Sequence, residues 1–198
     1  IAAVCERVAR RIPVVAGVGT NSTAESVQLA KAAKDAGADA GLVVVPYYNR
    51  PCGQGLVDHF RKIWDESGLP IVVYNIPSRT GTPLTPEIYD RLMGVVGIFA
   101  VKESSGDLNL ASHLLGQMAR RLPGEWQRVY GHEVCYLETF VDTERYAGTC
   151  YKAANWIVLG RTTGRGNNAP TYEQTRSIKE VLGYPLTKRF RELLGEVR

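Results

Sequence analysis

Along the first hundred residues, short apolar runs alternate with stretches whose apolar positions recur every three or four residues. The runs are Ile12–Val18, Ala40–Val45, Pro70–Tyr74 and Val95–Val101. Each is nearly continuous and ends in a polar or glycine cluster, the pattern of a strand buried on both faces. An opening helix, Ile1 to Arg11, precedes the first run. Between runs, Val27, Leu29, Ala32, Ala33 and Ala36 mark a helix that stops at Gly37, and Leu56, Phe60, Ile63 and Trp64 mark another that ends near Gly68. Ser22-x-x-Glu25 is a capping box for the first of these, because its two side chains can satisfy free amides at the helix start. Thr85-Pro86 places an N-cap ahead of a proline at the first helical position. Strands alternating with amphipathic helices predict an α/β protein with a parallel sheet covered by helices.

The pattern loosens beyond the fourth run. Asp107 can cap a helix carrying Leu110, Ala111, Leu114, Leu115 and Met118. Trp126 to Tyr130 reads as a weaker strand ending at Gly131, followed by a helix through Val134, Leu137 and Phe140. Gly148 to Ala153 reads as a sixth strand, made polar by Tyr151-Lys152. Arg161 to Ala169 reads as loop, and one or two helices are expected from Glu173 to Arg198. The expected organisation is therefore a partial (β/α) barrel over 1–155 and a C-terminal loop and helices over 156–198.

Composition removes several function classes. The 24 basic and 20 acidic residues leave a net charge of +4, scattered without long single-sign runs. Basic residues are not interleaved with aromatics, so neither nucleic acid nor membrane is an expected partner. Cys5, Cys52, Cys135 and Cys150 are far apart and the three histidines are isolated, so no metal site is expected. Reduced thiols of a cytoplasmic protein fit this spacing. Gly17-Val18-Gly19 lacks the third glycine of a dinucleotide fingerprint and the Gly-Lys of a P-loop.

Chemistry collects where the runs end. Tyr47-Tyr48, Tyr74-Asn75, Lys102-Glu103 and Gly131-His132 each follow an apolar run. In a parallel barrel those carboxyl ends share one rim. Lys102 closes the run Gly97-Ile98-Phe99-Ala100-Val101, where loss of hydration favours the neutral, nucleophilic amine, although a lysine that snorkels to the rim or pairs with Glu103 fits the same position. Tyr74 could exchange protons there, and Arg79 could hold a carboxylate bidentately.

Tyr47-Tyr48-Asn49-Arg50-Pro51, Tyr74-Asn75-Ile76-Pro77-Ser78-Arg79-Thr80-Gly81 and Val101-Lys102-Glu103-Ser104-Ser105-Gly106 together resemble the dihydrodipicolinate synthase family, which includes N-acetylneuraminate lyase. Order and spacing agree from about Ile12 to Leu115. The resemblance implies a TIM (β/α)8 barrel of about 250 residues, here incomplete, with the first two strands and a Gly-Thr-Thr-Gly-Glu segment absent and a short C-terminal helical region. It implies a class I lyase that joins pyruvate to aspartate semialdehyde in lysine and diaminopimelate biosynthesis. No cofactor is implied, and the implied assembly is a cytoplasmic homotetramer built from tight dimers. On the same resemblance Lys102 forms the Schiff base, Tyr74 shuttles protons, and Tyr48 joins a proton relay that reaches a neighbouring subunit's site. Arg79 would bind the aldehyde's carboxylate and Gly131 would contact pyruvate through its backbone. Cys150 falls at a further substrate-binding position, where an aliphatic residue is usual. Asn21, Glu25 and Tyr47 resemble part of a site for feedback inhibition by lysine. Arg79 within Ser-Arg-Thr-Gly favours a synthase over a sialic-acid or sugar-acid aldolase. A catalytically silent, truncated relative is the third reading, favoured by the absent opening segment and the odd last strand.

Overall fold

The four apolar runs become four strands of one sheet in the computed structural model, which describes residues 1–165 and 174–196. They are β1 (Val15–Gly17), β2 (Ala40–Val44), β3 (Ile71–Asn75) and β4 (Ile98–Glu103), paired in the order β1-β2-β3-β4 and parallel throughout. An order that advances one strand at a time is that of a barrel wall, whereas a doubly wound sheet reverses at a switch point. Helix α1 (Ala2–Val8) precedes the sheet, and α2 (Thr23–Asp35), α3 (Gly53–Ser67), α4 (Pro77–Thr80) and α5 (Pro86–Leu92) lie between strands. Helix α2 packs on α3, and α3 on α5. This unit, Ile1–Asp107, is an incomplete (β/α)8 barrel.

Local chemistry accounts for the boundaries. Ser22 Oγ accepts from the amide of Glu25 at 3.3 Å, while the amide of Ser22 donates to Thr20 Oγ1, so half of the expected capping box forms. Thr85 Oγ1 accepts from the amide of Ile88 ahead of Pro86. Gly68, at φ 59, turns the chain out of α3. Helix α1 is shorter than expected because Ala9 and Arg10 adopt φ of 50 and 58. Val43, Phe60, Ile63, Ile71 and Val73 are fully buried, each burial contributing about 1.5–3 kcal/mol. At the start of β4, Gly97 adopts φ +90 and any Cβ there would overlap the Trp64 ring, so only glycine fits.

The βα alternation does not continue past β4. The chain enters a second compact unit, Leu108–Arg198, so the division falls after Asp107 and not at 155. Helix α6 (Leu108–Tyr130) runs unbroken through Pro123, where a helix end and a new strand were expected. Trp126 and Tyr130 sit one helical turn apart with ring centroids 4.4 Å from each other, a contact that helix spacing creates and a strand would break. The segment expected to be helical around Leu137 and Phe140 is β5 (Tyr136–Asp142), and the expected strand at 148–153 is the short helix α7 (Thr149–Ala153). The C-terminal region, expected to be helical, instead supplies β7 (Lys179–Pro185) before α8 (Phe190–Glu196); β6 (Ile157–Arg161) precedes them. These strands pair antiparallel in the order β5-β7-β6. Val141, Trp156 and Leu182 form the core of this unit, with Leu115, Leu137, Tyr151, Ala154 and Tyr184 against them. Gly183 on β7 leaves room for the Tyr136 ring, which any Cβ would overlap. The expectations for 166–169 and Glu173 lie outside the described residues.

His59 provides a test of the first unit. It is buried on α3 with Nδ1 2.9 Å from the hydroxyl of Thr23 on α2, and burial lowers its pKa to about 4. The unfolded chain therefore takes up a proton between about pH 6.5 and 4 that the folded chain refuses. The stability contribution is complete above pH 6.5 and falls as the pH drops towards 4, by about 3 kcal/mol in all. Urea midpoints measured from pH 7 to 4.5 should fall in the native protein and fall much less in His59→Gln. Parallel slopes for the two proteins would contradict this assignment.

Candidate active site

The β3–β4 pairing sets Tyr74 opposite Lys102 and Asn75 opposite Glu103. Because side chains alternate along a strand, the two pairs face opposite sides of the sheet. On one side, Lys102 Nζ lies 4.0 Å from the centroid of the Tyr74 ring, within range of cation–π attraction. The structure thus brings together the two residues expected to share the imine chemistry. Lys102 is exposed, however, with Phe99 (63%) and Val101 (40%) on the same strand also open to water. Among the described residues β4 is an end strand of its sheet, so the loss of hydration expected from its apolar sequence does not occur.

On the other side a polar network is closed. Asn75, fully buried, donates through Nδ2 to both carboxylate oxygens of Glu103, at 3.1 and 2.9 Å. The hydroxyl of buried Tyr89 donates to Oε2 at 2.5 Å, and the amide of Ser105 donates to Oε1 at 2.7 Å. Asn75 Oδ1 in turn accepts from the amide of Leu84 at 3.3 Å. Burial pushes the Glu103 carboxyl up, but the hydrogen bonds from Tyr89, Asn75 and Ser105 outweigh it and hold the group below the usual carboxylate value. Burial, then the adjacent carboxylate, raises the Tyr89 phenol far above its ordinary value. Asn75 and Glu103 were legible as strand-end residues without a role, and Tyr89 carried no signal beyond its place in a helix.

The loops after β2 and β3 border an open cleft of about 770 Å³, lined by Tyr47, Tyr48, Arg50, Ser78, Arg79 and Gly81, among others. Arg79, expected from the sequence, shares it with Arg50, to which no role had been given. Neither guanidinium has an ion-pair or hydrogen-bond partner among the described residues, an arrangement that favours an incoming anion. Tyr48 is 88% exposed at φ 68, and Arg50 stands at φ 43. Left-handed backbone at two non-glycine residues is costly and is found at ligand clamps. Gly81, at φ +69, has no Cβ to press on the Arg50 guanidinium. Asn49 Nδ2 donates to the carbonyl of Asn21 at 2.9 Å, tying the Tyr47–Tyr48 loop to the loop after β1. Glu25 is exposed in the first turn of α2.

Gly131 and Cys150 belong to the second unit. Gly131, at φ 72, ends α6, its amide donating to the carbonyl of Gln127 at 2.9 Å. Cys150 lies in α7. Gly131 was expected to close a strand and Cys150 to lie within one, and neither does.

A lysine and a tyrosine thus stand side by side at the carboxyl ends of adjacent parallel strands, and the loops after β2 and β3 border an arginine-lined cleft. Residues 1–126 match the family model described as the dihydrodipicolinate synthetase family, and the chain belongs to that family. Residues 90–188 match a second family model, Druantia protein DruA, so the two matches overlap over 90–126, around the boundary between the compact units. Over 104 residues the chain is 50% identical to the 4-hydroxy-tetrahydrodipicolinate synthase of Methanothrix thermoacetophila, covering 52% of this chain and 35% of that protein. The crystal structure of dihydrodipicolinate synthase from Acinetobacter baumannii complexed with pyruvate is similar at 40% identity and a TM-score of 0.57, over 59% of this chain and 40% of the other. The enzyme from Cyanidioschyzon merolae with lysine bound is similar at 41% identity and a TM-score of 0.50, over 52% and 35% respectively. The chain spans well under half the length of these relatives.

Tyr89→Phe should destabilise the first unit by about 1–3 kcal/mol, since it leaves a buried carboxylate oxygen short of a donor. Chemical denaturation at neutral pH reads the loss, and a change below about 0.3 kcal/mol would mean that the carboxylate finds water instead.

Proposed function

We propose that the first unit carries the imine-forming half of a class I pyruvate lyase that joins pyruvate to aspartate semialdehyde in lysine and diaminopimelate biosynthesis. The observation that carries this reading is the Lys102 amine held 4.0 Å from the Tyr74 ring at the carboxyl end of a parallel sheet. It is supported by a similar enzyme whose crystal structure holds pyruvate. In this scheme the neutral amine adds to the keto carbon, water leaves, and the imine draws electrons so that a methyl proton can depart. The resulting enamine carbon bonds to the aldehyde carbon. Tyr74, beside the nitrogen, carries protons in these steps, and Tyr48 extends the relay. Arg79 binds the aldehyde's carboxylate, with Arg50 adding positive charge to the same cleft. No cofactor enters the scheme.

The same reading assigns feedback binding of lysine to Asn21, Glu25 and Tyr47, which the similar lysine-bound enzyme supports by analogy. It also assigns a cytoplasmic location and a homotetramer. No helix among the described residues is long and apolar enough to cross a membrane. Two observations favour the silent alternative: the synthase-like segment is joined to a segment that matches a second family, and Lys102 is exposed.

Incubation with pyruvate and borohydride, followed by peptide mass spectrometry, separates the two. The enzyme reading requires a reduced pyruvate adduct on Lys102; folded protein that acquires none is silent. Aspartate semialdehyde should then discharge the enamine faster than N-acetylmannosamine, the reverse order indicating a sialic-acid aldolase. Arg79→Ala should weaken use of the semialdehyde roughly 100-fold, the loss of a charge-assisted bidentate contact, while labelling by pyruvate stays near the native level. Equal loss of both would remove the assigned role of Arg79.

A further inference from the structure

Glu103 takes no part in the chemistry above, yet the donors around its carboxylate come from three separate pieces of the fold. Asn75 belongs to β3, Tyr89 to α5 and Ser105 to the turn beyond β4. The amide of Ser104 also donates to the carbonyl of Asn75, at 2.9 Å. Strand β4 is otherwise held along one side only among the described residues. Its last residue is therefore clamped where its neighbour Lys102 must point across the sheet at Tyr74.

We propose that Glu103 is a positioning residue that holds the Lys102 amine against the Tyr74 ring. The proposal deepens the Schiff-base reading by naming what aims its nucleophile. A carboxylate suits the task because it only accepts, so all the surrounding donors are satisfied at once. Glutamine at this position would present an amide N–H₂ to the phenol and the Asn75 amide, turning an attraction into a conflict between donors. Glu103 lies on the opposite side of the sheet from the amine, so it acts on geometry and does not touch the keto acid.

The test reads amine position without requiring catalysis. Lysines of the full chain are reductively methylated with ¹³C-formaldehyde, and the Lys102 signal is assigned by its loss in Lys102→Arg. Methyl groups held over a phenol ring resonate upfield of those on solvated lysines. The native protein should show that shift, Glu103→Gln should lose it while keeping its far-UV circular dichroism, and Tyr89→Phe should fall between. A Glu103→Gln protein that is folded and keeps the native upfield shift overturns the proposal, as does a native protein without the shift. Should Glu103→Gln not fold, Tyr89→Phe decides alone: an unmoved signal overturns the proposal. Where pyruvate labels the native protein, the saturating trapping rate in Glu103→Gln should drop about 10–100-fold at little-changed half-saturating pyruvate. A native protein that shows the ring shift but takes no pyruvate adduct defeats the enzyme reading and leaves the positioning role standing.

Discussion

The pairing of Tyr74 with Lys102 depends on one irregularity in the sheet. Ile71 pairs with Ile98, but Val72 pairs with Ala100, so Phe99 is an extra residue in β4. Without that bulge Val101 would lie opposite Tyr74, and Lys102 would lie opposite Asn75 on the buried side. Strand side chains alternate with a period of two, so a one-residue slip moves every side chain to the other face. The Asn75–Glu103 hydrogen bonds fasten the shifted register at its far end. Backbone pairing and side-chain network thus agree on a single placement for the amine.

Much of the first unit was legible because its central strands, β2 and β3, are largely buried. A nearly unbroken apolar run such as Ile71-Val72-Val73 has few alternatives to a central parallel strand, and Gly37 and Gly68 punctuate the helices as expected. The placement of Tyr74 beside Lys102 was legible too, since residues closing adjacent parallel strands lie at one edge of the sheet. The network behind it was not: Tyr89 looks like an ordinary apolar helix position until its hydroxyl is seen on Glu103. The bulge is equally hidden, because Phe99 resembles its neighbours in composition.

In the second unit local punctuation and tertiary contact disagree. Pro123-Gly124 looks like a helix end, since proline in a helix interior costs about 3 kcal/mol, yet α6 continues and brings the Trp126 and Tyr130 rings together at a tilt. Strand β7 contains Gly183 and ends in Pro185, both unfavourable to a helix, and its Val181-Leu182 pair suits a half-buried strand. Extending the barrel pattern through this region reached for parallel strands where the chain forms an antiparallel sheet. The overlap of two family matches over 90–126 fits that change of architecture.

Reactivity of a rim lysine needs two things that this fold separates. Aim comes from two adjacent strands, and β3 and β4 supply it through register, bulge and the Glu103 clamp. Dryness comes from the rest of a closed wall, whose inward side chains fill the barrel and keep water from the amine. Among the described residues the parallel sheet supplies the first, and Lys102 stands over Tyr74 while remaining exposed. The orientation of the amine is already written into the pairing of residues 74 and 102.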